Sequence, residues 1–143
     1  MYAIKVIIKY LFFTFLFIQL IQVDITNPKT DKSLEIQAPK PIMDIFHRAC
    51  YDCHSNSVKI PWYSKIAPMS WEISRHINVG RQWLNFSVWN SYTPEQKDKK
   101  LEEIYKAVHI SMPLRDYVWI HHDAELSKED RELVRQWTGK APF

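Results

Sequence analysis

The two cysteines of the chain stand in "RACYDCHSNS", residues 48 to 57, with Cys50 and Cys53 three apart and His54 directly after the second. Three chemistries use such a group. Two thiols one helical turn apart can add to the two vinyl groups on one edge of a porphyrin, and the imidazole that follows then lies beneath the iron. The same thiols can close a redox disulfide in an oxidising compartment. They can also supply half of a structural zinc site. A disulfide leaves His54 without a purpose, and the alternating strands and helices of a thioredoxin-like domain are missing. Zinc needs two more ligands from His47, His54, His76, His109, His121 or His122, and no second cysteine pair or familiar histidine spacing completes the set. One covalent c-type haem, on Cys50 and Cys53 with His54 as proximal iron ligand, accounts for all three residues.

The opposite face of the iron is read from "HISMPLRDY". Met112 precedes a proline in a segment that breaks a helix, and a soft thioether there would raise the reduction potential. His109, His121 and His76 are the alternatives for that position. Met69, in "IAPMSW", reads instead as a core or pocket-wall methionine that fills irregular space.

Helices are expected to position these residues. Pro41 suits a first helical turn, and Ile42, Ile45, Phe46 and Ala49 recur at spacings of three and four, so a helix runs from about 41 into the cysteine motif. Ser70 is placed to cap a second helix carrying Trp71, Ile73 and Ile77 and ending at Gly80. Thr93, Pro94 and Gln96 make a cap, an N1 proline and a capping-box partner, followed by a buried stripe of Leu101, Ile104, Tyr105 and Val108. Ser127 and Asp130 open a last helix with Leu133, Val134 and Trp137 inward and Gly139 as its stop. No strand run is convincing. The fold class is all-α: a cytochrome c-like helical domain, residues 40–143, around one haem, with six tryptophans helping to complete a small core.

Two segments precede that domain. Residues 1–23 place Lys5 and Lys9 before an uncharged apolar run, as an export signal or an uncleaved membrane anchor does. The stretch 7–23 is 17 residues long, at the lower limit of a spanning helix, and no small-residue cleavage site follows it. Two lysines before the run and Asp24 after it put the domain outside. The expected location is the periplasmic side of the inner membrane, anchored by the N-terminus, or the soluble periplasm after cleavage. Residues 24–39, polar with two prolines, read as an extended tether.

The formal charge of +3 is carried largely by the leader. Without Lys5 and Lys9 the remaining charges are 17 basic and 16 acidic, with no basic run longer than "KDKK". Nucleic-acid binding has no electrostatic footing.

The run from "CYDCHSNSVKIPWYSKIAPMSW" through "KKLEEIYKAV", "MPL" and "YVWIHHDAELS" resembles the small haem-binding domain family with a CxxCH motif, found widely in Bacteroidetes and related Gram-negative bacteria. The resemblance covers about residues 38–138. It implies an exported, cytochrome c-like protein. Cys50, Cys53 and His54 match the family's haem-attachment motif, and Met112 matches the methionine of its "MPL" segment. His121 matches a histidine usually followed by proline, where this chain has His122.

With both axial positions filled and no matched acid and base beside a substrate pocket, the expected role is single-electron transfer rather than catalysis. The expected partners are membrane-bound or periplasmic redox proteins, docked weakly because the charge is near neutral. A haem-based sensor or peroxidase-type enzyme, with an open or displaceable sixth site, is the alternative.

Overall fold

The described residues, 1–141 of a computed structural model, form seven α-helices joined by four 3₁₀ turns, with no strand among them. The all-α expectation holds. The first helix, α1 (Tyr2–Ile18), is apolar on every side after Lys9 and buries nothing. At about 1.5 Å per residue it is about 25 Å long, against about 30 Å for the hydrocarbon of a bilayer. Among the described residues no helix is long and apolar enough to cross a membrane. The stretch 7–23 is therefore not one spanning helix, because the chain turns at Gln19. There the Gln19 side chain donates to the Ala67 carbonyl at 3.0 Å and accepts from the Ala67 N–H at 2.9 Å.

The segment that follows is extended apart from a 3₁₀ turn at Lys32–Leu34, but it is not a free tether. Asn27 both donates to and accepts from the Val58 backbone at 2.9 Å. Arg81 donates to the Thr26 carbonyl at 2.8 Å. Ile36 is 2% exposed, and its N–H donates to Phe86 at 2.9 Å. Residues 19–36 form a strap bound along the domain.

Helix α2 (Lys40–Ala49) carries Pro41 in its first turn and buries Ile42, Ile45, Phe46 and Ala49, as their spacing predicts. The backbone breaks at Cys50 and resumes as the single turn α3 (Tyr51–His54). Helix α4 (Met69–Trp83) departs from expectation at both ends. It begins after Pro68 rather than at Ser70, which lies buried inside it with its hydroxyl unpartnered. It also runs past Gly80 instead of stopping there. A 3₁₀ stretch (Phe86–Ser91) leads to α5 (Pro94–Ile110), whose Thr93–Gln96 capping box has both reciprocal bonds. The short α6 (Arg115–Ile120) was not legible from spacing. Last comes α7 (Lys128–Thr138), capped by Ser127 and Asp130 and ended by Gly139 at φ 64°, the left-handed conformation that glycine adopts without penalty.

Phe46 centres the core, stacked on Phe86 at 4.6 Å and meeting Trp137 edge-on at 5.3 Å. Tyr51 continues the stack against Phe86 at 5.5 Å, and Ile36, Ile104, Val108, Leu126 and Val134 surround it. Leu133 does not join them. It is 44% exposed, because α7 packs through Val134, Trp137 and Thr138, a stripe of three-and-four spacing that leaves position 133 about 100° to one side.

Phe46→Ala should therefore lower stability by about 3–5 kcal/mol in urea unfolding. Leu133→Ala should change it by only about 0.5 kcal/mol.

Candidate functional site

Cys50 ends α2 and caps α3, and its carbonyl accepts from the Cys53 N–H at 3.1 Å and the His54 N–H at 2.9 Å. One helical turn thus holds both thiols and the imidazole. Neither cysteine is in a disulfide. Burial, helped by the neighbouring Cys53, pushes the Cys50 thiol up to about 12. Burial and the carboxylates of Asp52 and Asp116 push Cys53 up to about 11. At neutral pH both sulfurs keep their protons.

His54 is fixed by α4. Its Nδ1 lies 3.0 Å from the Gly80 carbonyl and 3.0 Å from the Leu84 carbonyl. Carbonyl oxygens only accept, so Nδ1 carries the proton and Nε2 keeps its lone pair. Burial depresses the pKa, opposed by these same two hydrogen bonds, and keeps the ring neutral. A neutral imidazole with Nδ1–H anchored on backbone carbonyls is the form in which histidine ligates a metal.

Gly80 explains why α4 does not end at its glycine. A Cβ at this position would sit 2.6 Å from the Cys53 carbonyl oxygen and 3.3 Å from the Cys53 Cβ. The helix needs glycine where the motif's backbone lies against it, and the same residue supplies a carbonyl to His54. Arg81 then reaches round the motif, donating to the Ser55 carbonyl at 2.7 Å.

The other predicted ligands are dispersed. His121 and His76 line a cleft with Cys53, Ile73, Ile77 and Tyr117. His121 Nε2 is 2.5 Å from the Tyr63 hydroxyl, and its ring stacks on Tyr117 at 4.4 Å. His76 Nε2 is 2.9 Å from Glu72. Met112 is half-buried and does not line that cleft. Its backbone is held at both ends: the N–H donates to Ala107 at 2.8 Å and the carbonyl accepts from Arg131 at 2.8 Å. His109 and Met69 are exposed. Among the described residues no three histidine, cysteine or carboxylate side chains converge as a metal site.

Sequence reasoning missed Tyr117, whose hydroxyl donates to Asp52 Oδ2 at 2.9 Å, directly between the cysteines in sequence. It also missed Tyr63, Arg81 and Arg131. Tyr117 and His121 stand four positions apart, but the helix between them is too short for its spacing to announce itself.

A family model described as a haem-binding domain matches residues 13–140. The chain belongs to the haem-binding domain family, and what it binds is haem. Neither a curated protein nor a solved structure gives a significant match.

The residues present fit that group by their chemistry. They offer two protonated thiols one turn apart and a histidine whose Nε2 is free. The cleft beside Cys53 measures about 50 Å³, well under the roughly 300 Å³ at which ligand pockets begin. The fit therefore rests on the donor set and not on a preformed cavity.

Gly80→Ala should lower haem incorporation and reduce the fraction of low-spin iron, read by pyridine haemochrome yield and the visible spectrum. Gly139→Ala should destabilise the fold by about 1 kcal/mol with the spectrum unchanged. In haem-free protein, the raised thiol pKa values make a contribution present below the unfolded value of 9.0 and lost as pH rises through 11 to 12. Its urea midpoint should fall in that window, and Cys50→Ser with Cys53→Ser should flatten the fall.

Proposed function

We propose that this protein is an exported, membrane-associated carrier of single electrons with one covalently attached haem c. The single observation that carries the reading is His54. Its Nδ1 is committed to two backbone carbonyls and its Nε2 is left to bind iron, one residue from a thiol and one turn from another. Cys50 and Cys53 would hold the group as thioethers and His54 would be its proximal ligand. When bound, the haem supplies one-electron chemistry at the iron. The chain's own part is to orient His54, to fix both attachment points on one turn, and to keep the ring against α4.

Met112 is the proposed sixth ligand. Arg131 from α7 pins its carbonyl and, through the same guanidinium nitrogen, that of Val108, so the loop after α5 is held to a helix rather than left to wander. A specific observation favours a second reading, in which His121 binds instead: it shares the cleft with Cys53, and Met112 does not. Membrane-bound or periplasmic redox proteins are the proposed partners, met transiently, since a domain near neutrality has little long-range steering. The periplasmic side of the inner membrane is the proposed location, with residues 1–23 retained.

Denatured holoprotein should keep its haem through acid-acetone extraction, and loss of haem would reject covalent attachment. With Met112 as ligand, the ferric protein should show the weak far-red sulfur-to-iron charge-transfer band. Met112→Ala should then abolish that band, lower the potential and admit carbon monoxide to the ferrous iron, while Met69→Ala leaves the band in place. Absence of the band in the wild type, with two-histidine magnetic signatures lost in His121→Ala, would select the second reading.

A further inference from the structure

The junction between α1 and the domain carries more exposed apolar surface than a free tether explains. Gln19 pairs reciprocally with the backbone of Ala67, and the Trp71 indole N–H donates to the Ile21 carbonyl at 2.9 Å. These three bonds hold the foot of α1 against the end of the loop that joins the cysteine motif to α4 and against the first turn of α4 itself. Leu20 and Ile21 beside Gln19, and Ile66 and Met69 on either side of Ala67, are exposed, Leu20 at 77%, and Trp62, on the 3₁₀ turn (Trp62–Lys65) that leads into the same loop, is exposed at 78%. Leu20 and Ile21 follow directly on α1 in the chain, and the Phe12, Phe13 and Phe17 side chains of that helix are exposed as well.

We propose that this foot rests on a phospholipid bilayer, so that α1 and the patch of Leu20, Ile21, Trp62, Ile66 and Met69 form one membrane-contacting surface and hold the domain in a single orientation. The inference rests on the reading that residues 1–23 are retained. Three features select lipid as the occupant. Leu20 and Ile21 run straight on from a helix that buries none of its own residues. Helix α1 falls short of a bilayer's hydrocarbon thickness, and a short anchor is accommodated when flanking residues settle into the interface. Tryptophan beside a lysine, here Trp62 and exposed Lys65, is the composition of a membrane–water boundary. The charges on the segments that meet at the joint are mixed, with Asp24 on the strap, Lys65 on the loop and Glu72 already paired to Arg75. Contact is accordingly apolar in origin and needs no anionic lipid.

The consequence is geometric. The strap from Thr26 to Asn27 is tied to Arg81 and Val58, next to the haem motif, so the attachment turn stands at a fixed height and tilt above the lipid. Electron partners embedded in the same membrane would meet one constant face.

The test uses full-length holoprotein in phosphatidylcholine vesicles, with Trp62→Cys or Leu133→Cys carrying an environment-sensitive fluorophore and with lipids brominated near the headgroup. The Trp62 label should be quenched several-fold more than the Leu133 label, with little change on adding salt. Gln19→Ala should reduce that difference while the protein still floats with vesicles. Equal, weak quenching in vesicle-bound protein would overturn the docking while leaving the anchor intact. Intact-mass measurement showing residues 1–23 removed, with no flotation, would overturn the anchor and the docking with it.

Discussion

The close approach of α3 to α4 governs the rest of the structure. With no Cβ at Gly80, the backbone of Cys53 lies against α4, and from that contact the Gly80 and Leu84 carbonyls both reach His54 Nδ1. A larger residue would separate the helices and break two bonds whose direction sets the imidazole. Net hydrogen-bond energies of about 1 kcal/mol are modest. Their geometry matters more here, since they decide which ring nitrogen carries the proton and where the other points.

From that contact the architecture spreads in two directions. Beyond Gly80, Arg81 ties the Ser55 carbonyl to Thr26 and Asn27, which joins the strap to the residue after His54. Beyond Leu84, the chain enters a polar lattice in which Asn85 donates to Asn56, and Asn56 N–H donates to Ser87. It then delivers Phe86 into the stack with Phe46 and Tyr51. The apolar core and the haem motif thus share one wall, and the buried Ser55 hydroxyl, donating to Tyr51, closes the turn between them. Buried polar groups of this kind favour a single arrangement because leaving any of them unpaired costs more than the bond returns.

What was readable in the sequence follows from the range of each interaction. Local rules succeed where the deciding contacts are local. The capping boxes at Thr93 and Ser127, the glycine stop at Gly139 and the buried face of α2 each involve residues within one or two turns. They fail where a distant segment decides. Gly80 carries the same residue type as Gly139 but answers to Cys53, 27 positions away in sequence, so a helix stop was expected where a helix crossing exists. Residues 24–39 read as a tether because the bonds that bind them run to Val58 and Arg81, distant in sequence. Of the site, Cys50, Cys53 and His54 were legible as chemistry. The carbonyls that orient His54 carry no side-chain signature at all.

The residues between and around the cysteines have consequences of their own. Asp52 accepts from the Tyr117 hydroxyl with one oxygen and from the Lys59 N–H with the other at 3.1 Å, so its carboxylate is held in place rather than free to swing into solvent. Its charge already raises the Cys53 thiol. A fixed negative charge beside the cysteine turn favours whichever state of a nearby centre carries more positive charge, and in a partly buried setting the effect is less screened than at a surface. Such a charge favours the oxidised state of any redox centre bound beside it. Tyr117 couples this charge to α6, since the same ring stacks on His121, which in turn meets Tyr63. Movement of α6 would alter both the position of the Asp52 carboxylate's partner and the surroundings of His121, so the electrostatics on one side of the motif and the access to the cleft are set by one short helix.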